Sequence, residues 1–386
     1  MNRDKIKNFP KVILFNKCIS NKTEKTGAIM VYFFNLLYST IYFFLIRKSK
    51  KITLLICSPI ITIWTLIIGG QYGVGTDYFS YINIFYSNIS LEFYYRRKEY
   101  IFYFLIKILK NIFKDGQVLF LTVGLLEAIL FIFLIKKMLK LKILEKEYSY
   151  IFVFIFLAYG TLFYNQMNAL RQYFNTYIFV LMIIIALEKK YLLYNIYFYI
   201  GLNIHRSFIL IYPFYVIFKM LRKRITLNIL IIGLFISIFI NFIDVKKYVE
   251  ILILYLPRYS HYVEKDYFSI ISLENKITKL IYFPYICESI FLLKKLRSSI
   301  QREMLNIGII SYIIKTTCLV TTVTNRIGEY FNILALFPIY YLIIYYIKNN
   351  NKYKLLFLVG LILGIFIFKV LIVPRGEYLY KFYLFN

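Results

Sequence analysis

The stretch QVLFLTVGLLEAILFIFLI, residues 117–135, decides the fold of this chain. It contains one charged side chain, Glu127, and it ends directly at the basic run KKMLKLK, residues 136–142. An α-helix rises about 1.5 Å per residue, so roughly 20 apolar residues cross the hydrocarbon core of a bilayer. The length of the stretch and its basic end therefore predict a transmembrane helix.

Apolar runs of this kind recur along the chain. Hydrophobic residues make up 60% of the 386 residues and charged residues 17%, whereas soluble domains are about 45–50% apolar. We therefore predict an all-α polytopic membrane protein of about 11–12 transmembrane helices with re-entrant or half-helix segments. The predicted spans are 27–46, 52–70, 117–135, 149–164, 173–188, 191–203, 207–218, 226–243, 277–293, 304–323, 328–347 and 354–373.

The net charge of +29 is concentrated in short basic clusters between the apolar runs. Such clusters mark cytoplasmic loops under the positive-inside rule, and no basic–aromatic platform for nucleic acid is present. We therefore expect no nucleic-acid partner. The clusters are Arg47–Lys51, Lys136–Lys142, Lys219–Arg224, Lys294–Arg297 and Lys348–Lys354.

If these clusters lie on the cytoplasmic side of the membrane, the orientation of the other segments follows. Segment 71–100, the corner at 165–171, the turn at His205, loop 244–276 and the turn at Arg326 then face outward. Two segments do not fit full spans: residues 101–113 are predicted to form an outer interfacial or re-entrant helix, and 191–203 with 207–218 to form two half-helices.

The two ends of the chain differ from its apolar body. We divide the chain into a basic N-terminal tail (1–26), a single membrane domain (27–373) and a short C-terminal tail (374–386). The N-terminal lysines conflict with an outward start, and Met30 opens a more natural first span, so we expect Met30 to be the native start.

Cysteine usage and known motifs point to no cofactor. The four cysteines occur singly, with spacing that suits neither disulfides nor zinc, and no P-loop, HExxH or dinucleotide fingerprint is present. We predict neither a metal site nor a cofactor.

The motif GGQYGVGTDYFSY, residues 69–81, follows the second predicted span. Its glycines permit tight turns. Asp77 could act on a substrate hydroxyl, and Tyr78 and Tyr81 offer the planar, hydrogen-bonding surfaces on which sugars stack. The alternative is a plain extracellular turn in which Asp77 caps a helix.

The motif NALRQ, residues 168–172, lies where one predicted span ends and the next begins. Asn168 and Gln172 can hydrogen-bond sugar hydroxyls or phosphate, and Arg171 can form a bidentate contact with a phosphate. The alternative is an interfacial anchor for the two helices.

Two further motifs carry polar side chains on the predicted outer side. In NIHRSFIL, residues 203–210, His205 could act as a general base or bind an anion together with Arg206. In TNRIGEYF, residues 324–331, Arg326 and Glu329 share a helix face beside Tyr330, where they either bind substrate or pair with each other.

Two ionisable residues lie at mid-membrane depth. An unpaired charge at this depth raises the free energy of the protein. We therefore predict an ion pair between Glu127 and Lys315.

Taken in order, VGTDYFSY, Glu99 with Tyr100, NALRQ, NIHRSFIL and NRIGEYF resemble the EpsG family of Wzy-like exopolysaccharide and capsule polymerases. The resemblance covers about residues 30–373. The position that is commonly Arg in the family's first motif looks like Gln71 here.

The resemblance implies a GT-C-like, metal-independent glycosyltransferase at the outer face of the bacterial cytoplasmic membrane. It would join repeat units of exopolysaccharide, capsule or O-antigen carried on undecaprenyl pyrophosphate, which serve as donor and acceptor. Arg171, Arg206 and Arg326 would hold pyrophosphate, Asp77 or His205 would be the base, and Glu99 with the tyrosines would position sugars. Beyond the bilayer, a flippase and a chain-length regulator are candidate partners.

Two other functions remain open. A flippase or transporter for lipid-linked oligosaccharide would show internal repeats and a cationic path across the membrane. A membrane acyltransferase acting on surface glycans would also use a histidine near the membrane.

Overall fold

The computed structural model describes residues 22–49, 51–159, 162–214, 227–243, 251, 269–374 and 378–383, and these contain α-helices but no β-sheet. The prediction of an all-α membrane protein is confirmed. The helices are α1 (Lys22–Ile46), α2 (Ser58–Gly69), α3 (Tyr78–Tyr86), α4 (Asn88–Arg96), α5 (Tyr100–Ile112), α6 (Gln117–Lys140), α7 (Ser149–Ala158), α8 (Leu162–Asn168), α9 (Leu170–Leu187), α10 (Tyr191–Ile204), α11 (Leu227–Phe239), α12 (Leu273–Leu280), α13 (Phe283–Lys295), α14 (Ser299–Thr317), α15 (Thr322–Glu329), α16 (Phe337–Lys348) and α17 (Lys352–Ile367).

Five helical segments of the described chain are long and apolar enough to cross a membrane alone. Two bent pairs, α7 with α8 (48°) and α15 with the helical segment that contains α16 (76°), raise the number to seven. The described residues therefore supply fewer spans than the 11–12 predicted. The five segments are Ile29–Ile46, Gln117–Lys140, Leu170–Leu187, Ser299–Val320 and Lys352–Ile372.

The remaining predicted spans differ from full crossings for local reasons. Spans 52–70 and 226–243 form only the short apolar helices Ser58–Gly69 and Leu227–Phe242. Span 277–293 is interrupted between α12 and α13, and Pro284 starts the second helix. Span 191–203 is the 14-residue α10, and 207–218 begins as a 3-10 turn, Arg206–Ile211, before it leaves the described residues. Residues 101–113, which were predicted as an interfacial or re-entrant helix and not as a span, form the 13-residue helix α5, which is too short to cross a bilayer.

The five spanning segments differ in how much of their surface is buried inside the described chain. α9 and α14 are mostly buried inside the bundle, whereas α1 and α17 lie at its periphery. Leu356 and Phe357 on α17 are about 70% exposed, as expected for side chains that face lipid rather than water. α1 and α17 therefore offer apolar surface to lipid, whereas α9 and α14 contribute mainly to the interior of the described bundle.

The basic clusters of the described residues lie at one end of this bundle, and the cluster Lys219–Arg224 lies outside the described residues. Each of the five spanning segments has one terminus there, because α1, α6 and α9 end and α14 and α17 begin beside them. The contacts that join this basic end are Lys137–Glu188 (2.9 Å), Lys348–Glu145 (2.7 Å), Gln301 to the Lys142 carbonyl (3.2 Å) and Lys146 to the Ser49 carbonyl.

The opposite end of the bundle gathers the polar motifs. Gln117, at the start of α6, donates through Nε2 to the carbonyls of Gly69 (2.5 Å) and Gln71 (2.7 Å). Leu170 begins α9 there, beside Arg171. We name this the site end.

The C-terminal residues are part of the folded body. The Tyr72 amide donates to the Lys381 carbonyl (2.9 Å), the Tyr383 amide donates to the Gly70 carbonyl (2.7 Å), and the Tyr380 hydroxyl donates to the Ile67 carbonyl (2.9 Å). Residues 378–383, which were predicted as part of the C-terminal tail, therefore form hydrogen bonds with the motif at residues 69–81 and stabilise it. Residues 1–21 of the predicted N-terminal tail, and most of loop 244–276, lie outside the described residues.

The predicted ion pair between Glu127 and Lys315 is wrong. Both are almost fully buried, but the carboxylate of Glu127 has no hydrogen-bond partner and Lys315 instead lies over the ring of Tyr159, with Nζ 5.2 Å from its centroid.

Candidate functional site

A cavity of about 540 Å³ opens at the site end. Its walls are formed by three helix boundaries and three further segments. The boundaries are the loop before α3, the start of α9 and the end of α10, and the further segments are α12, α15 and the residues after α17. All four residues predicted as catalytic line it: Asp77, Arg171, His205 and Arg326. Four predicted substrate-binding residues also line it: Tyr81, Asn168, Gln172 and Glu329. Their placement is a structural fact, and their roles remain predictions.

The loop that carries Asp77 is fixed by one carboxamide. Asn168 Oδ1 accepts hydrogen bonds from the backbone amides of Thr76 (2.8 Å) and Asp77 (3.0 Å). Gly75 has a φ of +74°, and a Cβ there would lie 2.4 Å from the same oxygen. Glycine is therefore needed both for the conformation and for the close approach. NALRQ thus holds the first motif in place.

Arg171 forms an ion pair with Glu99 at the cavity wall. Its guanidinium donates to Glu99 Oε2 at 2.5 Å, and its charged group lies 4.6 Å from the ring centroid of Tyr94 and 5.0 Å from that of Phe102. Glu99 is 0% exposed, whereas Arg171 remains partly open to the cavity. The buried carboxylate and the two rings fix the guanidinium at the cavity wall.

Glu99 also orients the turn that carries His205. The Arg206 backbone amide donates to Glu99 Oε1 (2.9 Å), and His205 Nδ1 lies 3.4 Å from the same oxygen. Burial alone would raise the pKa of Glu99, but His205, Arg171 and the Arg206 amide outweigh it and lower the pKa to about 2. Glu99 is therefore a carboxylate at neutral pH.

His205 is neutral in this setting. Burial and the positive charge of Arg171 lower its pKa to about 4, although Glu99 acts in the opposite direction. A neutral imidazole whose Nδ1 faces a carboxylate prefers the proton on Nδ1, which leaves Nε2 as the acceptor nitrogen. In the described chain the 3.4 Å approach of Nδ1 to Glu99 lacks hydrogen-bond geometry, so Glu99 fixes this turn through the Arg206 amide and lies beside the imidazole.

Arg326 sits on a short helix with a well-defined start. The side chains of Thr321 and Thr324 form a capping box that begins α15. The Gln172 carboxamide donates to the Arg326 carbonyl at 2.6 Å, which joins α9 to α15. Glu329 accepts from the Asn325 carboxamide (3.3 Å), and it forms no ion pair with Arg326 in the described chain. The exposed Arg326 side chain thus faces the cavity.

Four of the predicted substrate-binding residues lie behind the cavity wall. Tyr78 is buried and donates to Gln117 Oε1 (2.9 Å), and Tyr330 is buried with its hydroxyl 3.0 Å from Ser207 Oγ. Glu99 is also buried, so its carboxylate does not reach a sugar in the cavity. Arg206 contributes its backbone amide, and its side chain is not among the lining groups. These residues support the wall instead of forming it.

Several residues that line the cavity were not identified from the sequence. Lys279 and Lys369 lie inside segments predicted as spans, and an intramembrane cation was the signal that could have identified them. The others that were missed include Thr76, Asn165, Glu274, Thr322 and Asn325.

The order of the motifs and their meeting at one cavity agree with the comparison with known families. The EpsG family model matches residues 54–384, most of the chain. This chain belongs to the EpsG family. Every lining residue of the cavity falls inside the matched region of this EpsG-family protein. No curated protein and no solved structure matches it. Family membership relates the chain to membrane polymerases of exopolysaccharide.

The charge of the cavity wall in this EpsG-family protein is mixed, with cations in excess. The lining cations are Arg171, Lys279, Arg326 and Lys369, and the lining carboxylates are Asp77, Glu274 and Glu329. Glu99 already neutralises one of the cations from behind. In the described chain, no three His, Cys, Asp or Glu side chains are grouped as metal ligands would be. The lining arginines and lysines are positive groups that an anionic substrate in the cavity can contact.

Proposed function

We propose that this protein is a polysaccharide polymerase that joins repeat units carried on undecaprenyl pyrophosphate. The observation that carries the proposal is the single cavity in which the Glu99–His205 pair, Arg171 and Arg326 meet. One wall offers a base for a hydroxyl and the same wall offers cations for a phosphate leaving group. Glycosyl transfer from a lipid pyrophosphate requires both.

The proposed reaction follows from these groups. His205 Nε2 accepts the proton of an acceptor sugar hydroxyl, and the hydroxyl oxygen forms a bond to the anomeric carbon of the donor glycan. The bond from that carbon to the pyrophosphate oxygen breaks, and its electron pair leaves with the lipid pyrophosphate. Arg171 and Arg326 stabilise the negative charge that develops on the leaving group. Asp77 and Asn168 lie where they can orient the acceptor sugar.

We further propose that the cavity faces outward in a bacterial cytoplasmic membrane. The basic end lies at the opposite termini of the five spanning segments, and basic clusters favour the cytoplasmic side. The exposed Lys114 marks the site end and the exposed Asn351 marks the basic end.

This orientation predicts which end an impermeant thiol reagent reaches. In intact protoplasts, Lys114→Cys is expected to be labelled and Asn351→Cys to be labelled only after lysis. The background replaces the native cysteines by serine: Cys18, Cys57, Cys287 and Cys318. The reverse labelling would show that the cavity faces the cytoplasm.

Deletion of the gene tests the reaction itself. A deletion strain is expected to keep lipid-linked single repeat units and lose polymer, with the units exposed on the outer leaflet of the membrane. Gel analysis of surface glycan, with glycosidase access in intact protoplasts, measures both. Wild-type polymer length in the deletion strain would refute a polymerase.

The same experiment separates the polymerase from a flippase. A flippase deletion would leave the single repeat units on the inner leaflet, out of reach of an added glycosidase. The cavity opens at one end of the bundle, and the described residues that line it place their cations, Arg171, Lys279, Arg326 and Lys369, in that cavity. A transport path would need cations along the length of the bundle.

A further inference from the structure

A second cavity lies between α3 and α4. Its volume is about 650 Å³, within the range of about 300–1,000 Å³ that is typical of ligand sites. We name it the α3–α4 groove, and the cavity that contains Arg171 the first cavity. Six residues that give the α3–α4 groove its chemistry lie between the motif at residues 69–81 and Glu99, and the sequence assigned them no role. They are Asn83, Asn88, Glu92, Phe93, Tyr94 and Arg96.

Three polar side chains of the α3–α4 groove are held in place by neighbouring side chains. The hydrogen bonds are Asn83 Nδ2 to Ser90 Oγ (3.2 Å), Lys110 Nζ to Asn88 Oδ1 (2.7 Å) and the Tyr103 hydroxyl to Glu92 Oε1 (2.8 Å). Asn83 Oδ1, Asn88 Nδ2 and Glu92 Oε2 have no partner among the described residues. The side chains are thus ordered and keep hydrogen-bonding capacity for a ligand.

Phe93 adds an aromatic surface to the α3–α4 groove. Its side chain is 52% exposed. The ring of Tyr94 packs against it edge to face at 5.7 Å between centroids, and the Arg97 guanidinium lies 5.2 Å from its centroid. These contacts fix the orientation of the ring. An exposed aromatic ring beside polar groups that can bind hydroxyls is suited to a sugar, which offers both C–H and O–H groups.

The charges of the α3–α4 groove cancel. Glu92 and Arg96 are the charged residues that line it in the part of the chain that the structure describes, and no ion pair joins them there. The first cavity, in contrast, has more cations than carboxylates. A site of zero net charge favours the sugars of a glycan over its pyrophosphate.

The α3–α4 groove adjoins the first cavity across α3. Asp77, directly before α3, lines the first cavity, whereas Ser80 and Ile84 line the α3–α4 groove. These positions are three and seven residues apart, so they follow one face of the helix. Tyr94 lines the groove, and its ring centroid is 4.6 Å from the charged group of Arg171. A chain that leaves the first cavity along α3 therefore enters the groove.

The proposed reaction requires such a path. The growing glycan keeps its anomeric carbon at the cations of the first cavity, while the sugars already joined extend away from that carbon. Each cycle adds a repeat unit to this part of the chain, and a cavity of about 540 Å³ cannot hold it. The incoming acceptor is a single repeat unit and makes no such demand.

We propose that the α3–α4 groove binds the sugars of the growing glycan that extend beyond the first cavity. This inference rests on the proposed function for the identity of the glycan. Phe93 stacks against a sugar ring, and Asn83, Asn88 and Glu92 bind hydroxyls through the atoms that have no partner in the described chain. Arg96 donates to ring or hydroxyl oxygens.

The binding test uses the full chain in lipid nanodiscs. The probes are glycans made by partial hydrolysis of the strain's own surface polysaccharide and separated by length, with binding measured by titration calorimetry. Phe93→Ala and Glu92→Gln are each expected to weaken binding of a glycan of several repeat units about tenfold, the effect of losing a stacking contact or a hydrogen bond to a charged group. The loss is expected to be smaller for a single repeat unit.

Phe104→Ala is the matched control for Phe93→Ala. Phe104 lies on α5 outside the α3–α4 groove and is 48% exposed, so its replacement is expected to leave glycan binding unchanged. Equal losses in the two variants would overturn the proposal, because both rings would then only anchor the protein at the membrane surface. A loss in Phe93→Ala that is the same for every glycan length would overturn it too.

Polymer length separates the failure of this proposal from the failure of the proposed function. In membranes supplied with lipid-linked repeat units, Phe93→Ala is expected to give shorter polymer than the wild type and Phe104→Ala polymer of wild-type length. Wild-type length in Phe93→Ala would overturn the role of the groove and leave the polymerase intact. Normal polymer in the deletion strain would instead refute the polymerase, whereas the titration of glycans does not depend on polymerisation.

Discussion

Replacing Arg171 by Met is expected to stop chain extension. The cation that faces the leaving group is lost, which by itself costs about 10²–10³-fold in turnover. The variant is also expected to lose about 3–5 kcal/mol of stability, because the fully buried Glu99 keeps its charge without its 2.5 Å partner. Polymer length in membranes supplied with lipid-linked repeat units measures the first effect, and Tm measures the second.

The double variant Arg171→Met/Glu99→Gln separates the two effects. Removing the carboxylate charge as well is expected to restore most of the Tm but none of the turnover. Arg171→Lys is the matched control for charge. It is expected to retain part of the activity because it keeps the positive charge, and to lose the rest because an ammonium cannot form the bidentate contact with phosphate that a guanidinium forms. A double variant that extends chains at the wild-type rate would contradict a role for Arg171 in the reaction.

Replacing His205 by Gln is expected to lower turnover about 10²–10⁴-fold, the range for loss of a general base. Asp77→Asn is expected to cost about tenfold or less, the value of a hydrogen bond to a sugar hydroxyl. The sequence left both residues as candidate bases. The position of His205 Nδ1, 3.4 Å from the Glu99 carboxylate, favours His205, since a proton on Nδ1 leaves Nε2 as the accepting nitrogen. The opposite order of losses would reassign the base to Asp77.

The pH dependence provides a second measurement on His205. Its folded pKa of about 4 is below the unfolded value near 6.5. The unfolded chain therefore takes up a proton first as pH falls from 6.5 to 4, and stability falls over that window. In the His205→Gln variant, Tm is expected to fall less than in the wild type between pH 6.5 and pH 4. The acid limb of kcat/KM is expected near pH 4, and a limb near 6.5 would contradict a buried neutral histidine.

Glu99 is better explained as a positioning residue than as a sugar ligand. It is fully buried and contacts Arg171, the Arg206 amide and His205. Its folded pKa of about 2 is below the unfolded value, so its stabilising effect is present above about pH 4.5 and disappears as pH falls through 2. The sequence placed Glu99 in the correct motif but could not show how deeply it is buried.

The number of spans shows where sequence patterns become ambiguous. Apolar runs such as 191–203 and 277–293 are hydrophobic enough for a membrane, yet the structure breaks them or leaves them short. Hydropathy reports which residues avoid water, but it does not separate lipid contact from protein contact. Short helices inside a protein-lined end of the bundle therefore resemble spans in the sequence.

The sequence by itself determined the membrane fold, the basic end and the motifs that carry Asp77, Arg171, His205 and Arg326. Those properties depend on local composition and on the order of residues along the chain, which hydrophobic burial and charge placement convert directly into structure. Only the tertiary structure decided that Glu99 lies against both Arg171 and His205, and that Asn168 holds the loop of Asp77. Those contacts bring together residues far apart in the chain, and their free energy depends on burial and distance, which no local pattern encodes.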